Sequence, residues 1–429
     1  MSSFLFDLAA KQERANGRCI TSVCSANPYV LRSALQLHRE LDTIALIEAT
    51  SNQVNQFGGY TGMRPVQFKK MVLSIARETG FPQKNLILGG DHLGPYPWRS
   101  ETAHDAMDKA CRLVFDYAQA GYTKIHLDAS MPLRDDATND RGELDTEIGA
   151  ERAARLCQAA ESGRVPGADA PAYVIGTEVP APGGVSGELK APEVTRASAV
   201  KDTVECTRHA FHLCDLDEAW NRVIAVVVQP GVEFTDKQVF EYNKPYAAEL
   251  RMALPEDKPM VFEGHSTDYQ LPEHLRAMTE DSFAILKVGP ALTFAFREAV
   301  FLLGCIESSL VQSGVKLSQT RVPKVLEDAM RANPEHWEKF YKQDTDCLSF
   351  DLLYSLSDRC RYYWSVPEVD TELKKLIENM QKHWPPMQLS RQFFPNQYWK
   401  VRRGLLEDNP QDFITDRIQE VLRTYPDLS

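Results

Sequence analysis

From residue 19 to residue 287 the chain repeats one pattern: a short, continuous apolar run, then a longer stretch whose apolar positions recur every three or four residues. The short runs fall at 19–23, 44–48, 86–88, 124–127, 172–176, 223–228, 260–262 and 283–287. They are too short for helices, and their continuity suits strands buried on both faces. The longer stretches predict helices over 28–41, 65–79, 100–120, 146–162 and 197–214, after an initial helix over 4–16. Eight strands in β-α alternation predict an α/β fold, a parallel sheet closed into a (β/α)8 TIM barrel. An open doubly wound sheet is the alternative, but no G-x-G-x-x-G run follows the first strand. After about residue 306 the strand pattern stops. Helical patterns with aromatic anchors follow over 323–332, 336–343, 348–363, 369–383 and 411–425. The expected organisation is a barrel domain, 1–305, with a helical C-terminal extension, 306–429, packed on it.

In such a barrel the carboxyl ends of the strands converge on one face. Read in order, those ends carry Ser22 and Cys24; Glu48; Asp91 and His92; His126 and Asp128; Glu178; Gln229; Glu263 and His265; and Lys287. Nearly every one is able to bind a metal, move a proton or hold an oxyanion. Burying so many charges costs a purely structural barrel free energy with no return. The loop at 51–63, S-N-Q-V-N-Q-F-G-G-Y-T-G-M, reads as substrate-facing, since amides such as Asn52 and Gln53 hold hydroxyl-rich ligands. An amide-rich turn is the plainer alternative. The stretch 180–184 would let backbone amides approach an oxyanion, or is a simple turn. In the extension, S-D-R-C-R-Y-Y-W at 357–364 offers Arg359 and Arg361 as forks for a phosphate. A helix that packs its aromatics and solvates its arginines is the competing reading.

Composition narrows the setting. With 43% apolar and 25% charged residues among 429, the chain can build a sizeable core. A net charge of −12 argues against a nucleic-acid surface, yet leaves room for local basic pockets. The nine cysteines include no C-x-x-C pair, so they fit reduced thiols of a cytoplasmic protein better than a disulfide framework or a structural zinc site. No basic n-region opens the chain and no apolar run spans a membrane, so no membrane partner is expected.

Several runs together carry a resemblance. They are I-E-A-T-S-N-Q-V-N-Q-F-G-G-Y-T-G-M at 47–63, G-G-D-H-L-G-P at 89–95, K-I-H-L-D-A-S at 124–130 and V-I-G-T-E-V-P at 174–180. They continue with V-Q-P-G-V-E-F at 228–234, G-H-S-T-D-Y-Q at 264–270, L-K-V-G-P-A-L-T at 286–293, and residues 355–364. Across nearly its whole length the chain resembles the tagatose-bisphosphate aldolase Z-subunit family. The resemblance implies one of two roles. Some members are described as accessory subunits, without aldolase activity of their own, of tagatose-1,6-bisphosphate aldolase. Others look like ketohexose 4-epimerases, including D-tagatose 6-phosphate 4-epimerase, in galactitol and tagatose catabolism. More distantly, Asp91-His92 is similar to the Asp-His pair of class II aldolases, in which the His binds zinc. Glu263 stands where a second ligand His of those aldolases would fall, and the resemblance implies that the third is replaced near Gln229. The resemblance therefore implies His92 and Glu263 as ligands of a divalent metal, with His265 or Gln229 completing the site. Two altered ligand positions widen the choice of ion to Zn, Mn, Co or Ni.

The C4 hydrogen of a 2-ketose is not α to the carbonyl, so enolisation alone cannot invert C4. Transient oxidation by a nicotinamide, or cleavage and re-formation of C3–C4, are the routes left. The missing dinucleotide fingerprint and the aldolase likeness favour the second. Asp91 or Glu178 is expected as the acid-base group, with His126 and Asp128 orienting hydroxyls. Glu48, Asn52 and Gln53 are expected to face the sugar, and Ser266, Thr267, Lys287 and Arg359 the phosphate. Lys287 has a second reading as a Schiff-base amine. This full set of ionisable strand ends favours an active enzyme over a subunit that only stabilises. A phosphorylated ketohexose is the expected substrate, an aldolase catalytic subunit a candidate partner, and self-association into an oligomer is expected.

Overall fold

The protein is described from a computed structural model covering residues 2–12, 17–140, 142–176, 192–341 and 347–429. The strands are β1 (Ile20–Cys24), β2 (Ala45–Thr50), β3 (Leu86–Leu93), β4 (Lys124–Leu127), β5 (Ala172–Gly176), β6 (Val223–Val228), β7 (Glu233–Phe234), β8 (Val239–Phe240), β9 (Val261–Gly264) and β10 (Phe283–Val288). All but β7 and β8 close a parallel barrel in chain order, and β10 pairs back onto β1 through Ile20–Ile285 and Ser22–Lys287. The exceptions form a small antiparallel ribbon in the loop after β6. The barrel strands are almost wholly buried, which is why their sequences read as continuous Val/Ile/Leu runs.

Inward side chains alternate along each strand, so they stack in layers. The lowest layer is apolar: Ile20, Leu46, Ile87, Val174 and Ile285 pack with Leu5 and Leu8 of α1 (Ser2–Gln12), which closes the amino-terminal end. Two residues further along, the inward positions become Ser22, Glu48, Lys124, Glu263 and Lys287. At this step β3 and β5 carry glycines, Gly89 and Gly176. A Cβ at Gly89 would run into the Glu48 carboxylate, so the glycine makes the space that the charge fills.

The outer helices of the barrel are α2 (Pro28–Glu40), α3 (Pro65–Thr79), α4 (Ala103–Gln119), α5 (Thr146–Gly163), α6 (Ala197–Leu213), the short α7 (Asp217–Trp220) and α8 (Lys244–Ala247), α9 (Pro272–Glu280) and α10 (Pro290–Gln312). Their starts are legible: Asn27, Thr102 and Asp145 accept backbone N–H groups as caps of α2, α4 and α5. Proline stands in the first turn of α2, α3, α9 and α10. The extension adds α11 (Val322–Ala332), α12 (Leu348–Tyr354), α13 (Pro367–Lys382), α14 (Met387–Phe393), α15 (Pro395–Arg402) and α16 (Pro410–Leu422). Helix α16 packs on α2 and α10. Beyond it Tyr425 hydrogen-bonds Thr267, and the Asp427 carboxylate accepts from the Thr21 amide at 2.8 Å. The last residues therefore fasten the extension to the barrel wall.

The barrel predicted from the sequence is present, with four differences in detail. Strand β3 runs five residues past the expected 86–88, carrying Asp91 and His92 within it, because glycines continue the extended chain where apolar side chains stop. The expected helix 336–343 is a single 3-10 turn, Pro334–His336, and residues 342–346 lie outside the described set. The expected helix 348–363 is broken: α12 ends at Tyr354, Asp358 takes φ 46°, and a 3-10 turn spans Arg359–Tyr363. Helix α10 runs straight across the expected division at 305/306, so the extension starts after it. Among the described residues no helix is long and apolar enough to cross a membrane.

Candidate active site

The charged layer of the barrel is a closed ring. Lys124 Nζ lies 2.7 Å from Glu48 Oε1 and 2.7 Å from Glu263 Oε2. Across the barrel, Lys287 Nζ lies 2.9 Å from Glu48 Oε2 and 3.0 Å from Glu263 Oε1, and it also touches Asp91 Oδ1. Ser22 Oγ donates to Glu48 Oε2 at 2.7 Å. Each glutamate thus bridges both lysines, and every member is buried. A single unpaired charge at this depth costs several kcal/mol, so the ring survives only because its members neutralise one another. Two ammoniums face three carboxylates here, which leaves an excess of one negative charge pointing to the mouth. Burial alone would lower the Lys287 ammonium, but Asp91, Glu263 and Glu48 hold it well above its usual range. It is a protonated cation, unlike the neutral amine a Schiff base requires.

Above the ring sit three imidazoles. The centroids of His92, His126 and His265 lie 4.7 to 5.4 Å apart. His126 Nδ1 is 3.0 Å from Asp91 Oδ1, and His265 Nε2 is 3.0 Å from Glu263 Oε1. Burial and the Lys287 charge push His265 down to about 3, which keeps it neutral. His92 is turned differently. Its backbone takes φ 47°, a left-handed conformation that costs a non-glycine residue about 1–2 kcal/mol. That twist directs Nδ1 to Asp128 Oδ2 at 2.8 Å. Burial opposes charge on Asp128, but the hydrogen bond from His92 holds its carboxyl at about 2.

Donor chemistry decides whether a metal fits. Asp91, His126, Glu263 and His265 each offer an atom within 4.8 Å of the others. Two neutral-capable imidazoles and two carboxylates suit a borderline divalent ion. The surplus negative charge of the ring favours a cation at the same place. Lys287 shares Asp91 and Glu263 with that position; Asp91 keeps Oδ2 clear of the lysines, whereas both Glu263 oxygens already face an ammonium. The residues present fit the group. The set differs from the sequence reading in its members: Asp91 and His126, expected to move protons and orient hydroxyls, stand among the donors. His92 does not stand in this set; its Nδ1 faces Asp128 Oδ2 and its Nε2 lies 3.8 Å from Asp91 Oδ2.

The mouth opens into a cavity of about 430 Å³, a size suited to a small sugar phosphate. Asp91, His92, His265, Ser266 and Lys287 form its inner wall, and Asn52, Gln53 and Tyr60 come from the loop after β2. The extension adds Arg361, Tyr362 and Trp364 to the wall. Four expected contributors are elsewhere. Gln229 accepts from the Gly231 amide at 2.8 Å and lines a second cavity. Thr267 is fully buried and donates to the Lys287 carbonyl at 2.6 Å. Arg359 lays its guanidinium 3.0 Å from the Phe340 ring centroid and donates to the His336 carbonyl at 3.1 Å, while Arg361, two residues on, faces the cavity. Glu48 is held inside the ring beneath the cavity floor. Glu178 and the loop 180–184 lie outside the described residues. Lys124 has no place in the sequence reading, although a lysine two positions before His126 in an apolar strand shares its inward parity. Asp268 was also missed. Its carboxylate accepts from the Gly289 and Ala291 amides, and burial raises it to about 6.

Comparison with known proteins agrees with this architecture. The family described as D-tagatose-1,6-bisphosphate aldolase subunit GatZ/KbaZ-like matches residues 5–428. A Salmonella gallinarum protein named D-tagatose-1,6-bisphosphate aldolase subunit GatZ is 48% identical over 407 residues, 95% of this chain and 94% of that one. A Salmonella typhimurium protein of the same name is 46% identical over 420 residues, 98% and 97% of the two chains. A crystal structure from Sinorhizobium meliloti 1021, described as a probable tagatose 6 phosphate kinase, superposes with a TM-score of 0.85 at 39% identity. That match covers 95% of this chain and 99% of the other. The chain belongs to the GatZ/KbaZ-like family.

Proposed function

We propose that this member of the GatZ/KbaZ-like family is a sugar-phosphate 4-epimerase that interconverts D-tagatose 6-phosphate and D-fructose 6-phosphate. The observation that carries the reading is the buried set Asp91, His126, Glu263 and His265, of which Asp91 and His265 line a cavity sized for such a substrate. Those four residues would hold a divalent ion, which when bound supplies Lewis acidity toward the C2 carbonyl. The remaining work falls to the chain. His92, with its Nδ1 fixed by Asp128, has Nε2 left to accept the proton of the C4 hydroxyl as C3–C4 breaks. The products of that cleavage are glyceraldehyde 3-phosphate and a three-carbon enediolate. The Lys287 ammonium offsets the negative charge that gathers beside it. Presenting the other aldehyde face re-forms C3–C4 with C4 inverted, and His92 returns its proton to O4. Asn52 and Ser266, which line the cavity, would hold hydroxyls through the turn, while the Gln53 amide is engaged by the Thr50 amide and the Cys24 carbonyl.

A second reading, a non-catalytic accessory subunit of tagatose-1,6-bisphosphate aldolase, is favoured by the relatives' names. The kinase description of the Sinorhizobium protein finds no support here, because the sequence contains no G-x-x-x-x-G-K-S/T loop. The purified chain alone, supplied with D-tagatose 6-phosphate and Zn, Mn, Co or Ni in turn, should form D-fructose 6-phosphate. His265→Ala should retain less metal by elemental analysis and lose turnover. No product with any ion, together with activation of a co-expressed aldolase catalytic subunit, would establish the accessory role instead.

A further inference from the structure

Where a phosphoryl group sits in this cavity is narrowed by what is already occupied. In many barrels the amino terminus of a helix at the mouth receives an oxyanion. Here that place at α10 is filled by the chain's own Asp268, whose Oδ1 accepts from the Gly289 amide at 3.0 Å and the Ala291 amide at 2.8 Å. Lys287 is also committed, since three carboxylates surround it. The cavity wall has one further cation among the described residues, Arg361. No carboxylate among those residues lies within ion-pairing distance of it. Its partners are neutral: the Ser357 carbonyl at 2.5 Å, the Asp358 carbonyl at 3.0 Å and the Tyr362 hydroxyl at 2.9 Å. Three of the five guanidinium N–H groups are thereby used to aim the fork, and two remain for a ligand. Of the remaining acids on the wall, Asp91 faces Lys287 and Asp370 is paired with Lys374 at 2.6 Å.

The turn that carries Arg361 is anchored for precision. Asp358 accepts from Arg297 Nε at 3.1 Å and from Thr293 Oγ1 at 2.6 Å, both on α10. The buried Arg297 in turn stacks over Phe294, 4.0 Å from its centroid. A buried ion pair thus ties the 3-10 turn to the last barrel helix. We propose that Arg361, delivered by the extension, recognises the phosphoryl group of the substrate and sets the preference for a phosphorylated over a free ketohexose. The assignment rests on the sugar-phosphate reading above and adds the residue that reads the phosphate.

Isothermal titration of the full chain with D-fructose 6-phosphate and with D-fructose tests it. Arg361→Gln should weaken the phosphate ester roughly 30- to 100-fold, the loss expected for a charged fork, and leave D-fructose within about twofold. Arg361→Lys keeps a point charge without the fork, so the phosphate ester should weaken only about tenfold. If Arg361→Gln kept the wild-type ratio of the two affinities, by weakening both or neither, the assignment would be overturned. So would a wild-type chain with no preference for the phosphate ester. A wild-type chain that shows the preference but does not epimerise would defeat the epimerase reading and leave Arg361 in place.

Discussion

A methyl group at position 89 would meet the Glu48 carboxylate, and that collision reaches every member of the charged ring. Gly89→Ala should therefore displace Glu48 from Lys124 and Lys287 and lower unfolding stability by at least about 2 kcal/mol in a urea titration. A change within about 0.5 kcal/mol would mean the ring is not load-sharing as described. Glu233 gives a residue-scale prediction of opposite sense. Among the described residues no cation pairs with it, and burial raises its carboxyl from 4.5 to about 7. A carboxyl raised on folding lends stability below its unfolded value, and that stability is lost as pH climbs through the folded value. Between about pH 4.5 and pH 7 the native state should lose on the order of 3 kcal/mol through this group. Glu233→Gln should therefore gain on wild type by roughly 2–3 kcal/mol between pH 5 and pH 8, by urea unfolding at each pH. A difference that does not vary with pH would refute the assignment. The residues at strand ends were legible because inward parity and terminal position are written in the sequence. Lys124 was not, because it stands at the start of its strand and looks there like a solvated flank.

At the scale of elements, the segment 348–363 shows where periodicity stops being informative. Its apolar spacing reads as one helix, yet the chain leaves helical geometry between Tyr354 and Arg359. What overrides the local preference is a distant partner: Asp358 is drawn to Arg297 and Thr293, and the backbone accepts φ 46° to reach them. No local pattern encodes a contact more than sixty residues away. The same break decides which arginine meets the cavity, so choosing Arg359 over Arg361 followed directly from the missed turn. Asp358→Asn should leave the Arg297 guanidinium buried beside a neutral group. We expect a loss of about 3–5 kcal/mol in unfolding free energy. We also expect weaker binding of D-fructose 6-phosphate than of D-fructose relative to wild type, because Arg361 loses its anchor. Loss of stability with the wild-type ratio of affinities intact would show that the turn keeps its geometry without the ion pair.

For the whole molecule, the barrel and the extension make one site. Strand residues, with His265 just past β9, supply the ring and the donor set, while Arg361, Tyr362 and Trp364 of the cavity wall come from beyond α10. The barrel was legible because eight buried strands leave eight apolar runs. The shape of the extension was not, because its contacts with α2, α10 and the Thr21 region link residues at opposite ends of the chain. The chemistry assigned to this assembly has a defining feature: C4 is inverted without breaking its C–H bond. D-tagatose 6-phosphate carrying deuterium at C4, given to the metal-loaded chain alone and followed by NMR, tests that claim most directly. The account predicts D-fructose 6-phosphate with all deuterium still at C4, formed as fast as from unlabelled substrate. Absence of product, deuterium lost to water, or a marked slowing by the label would contradict it.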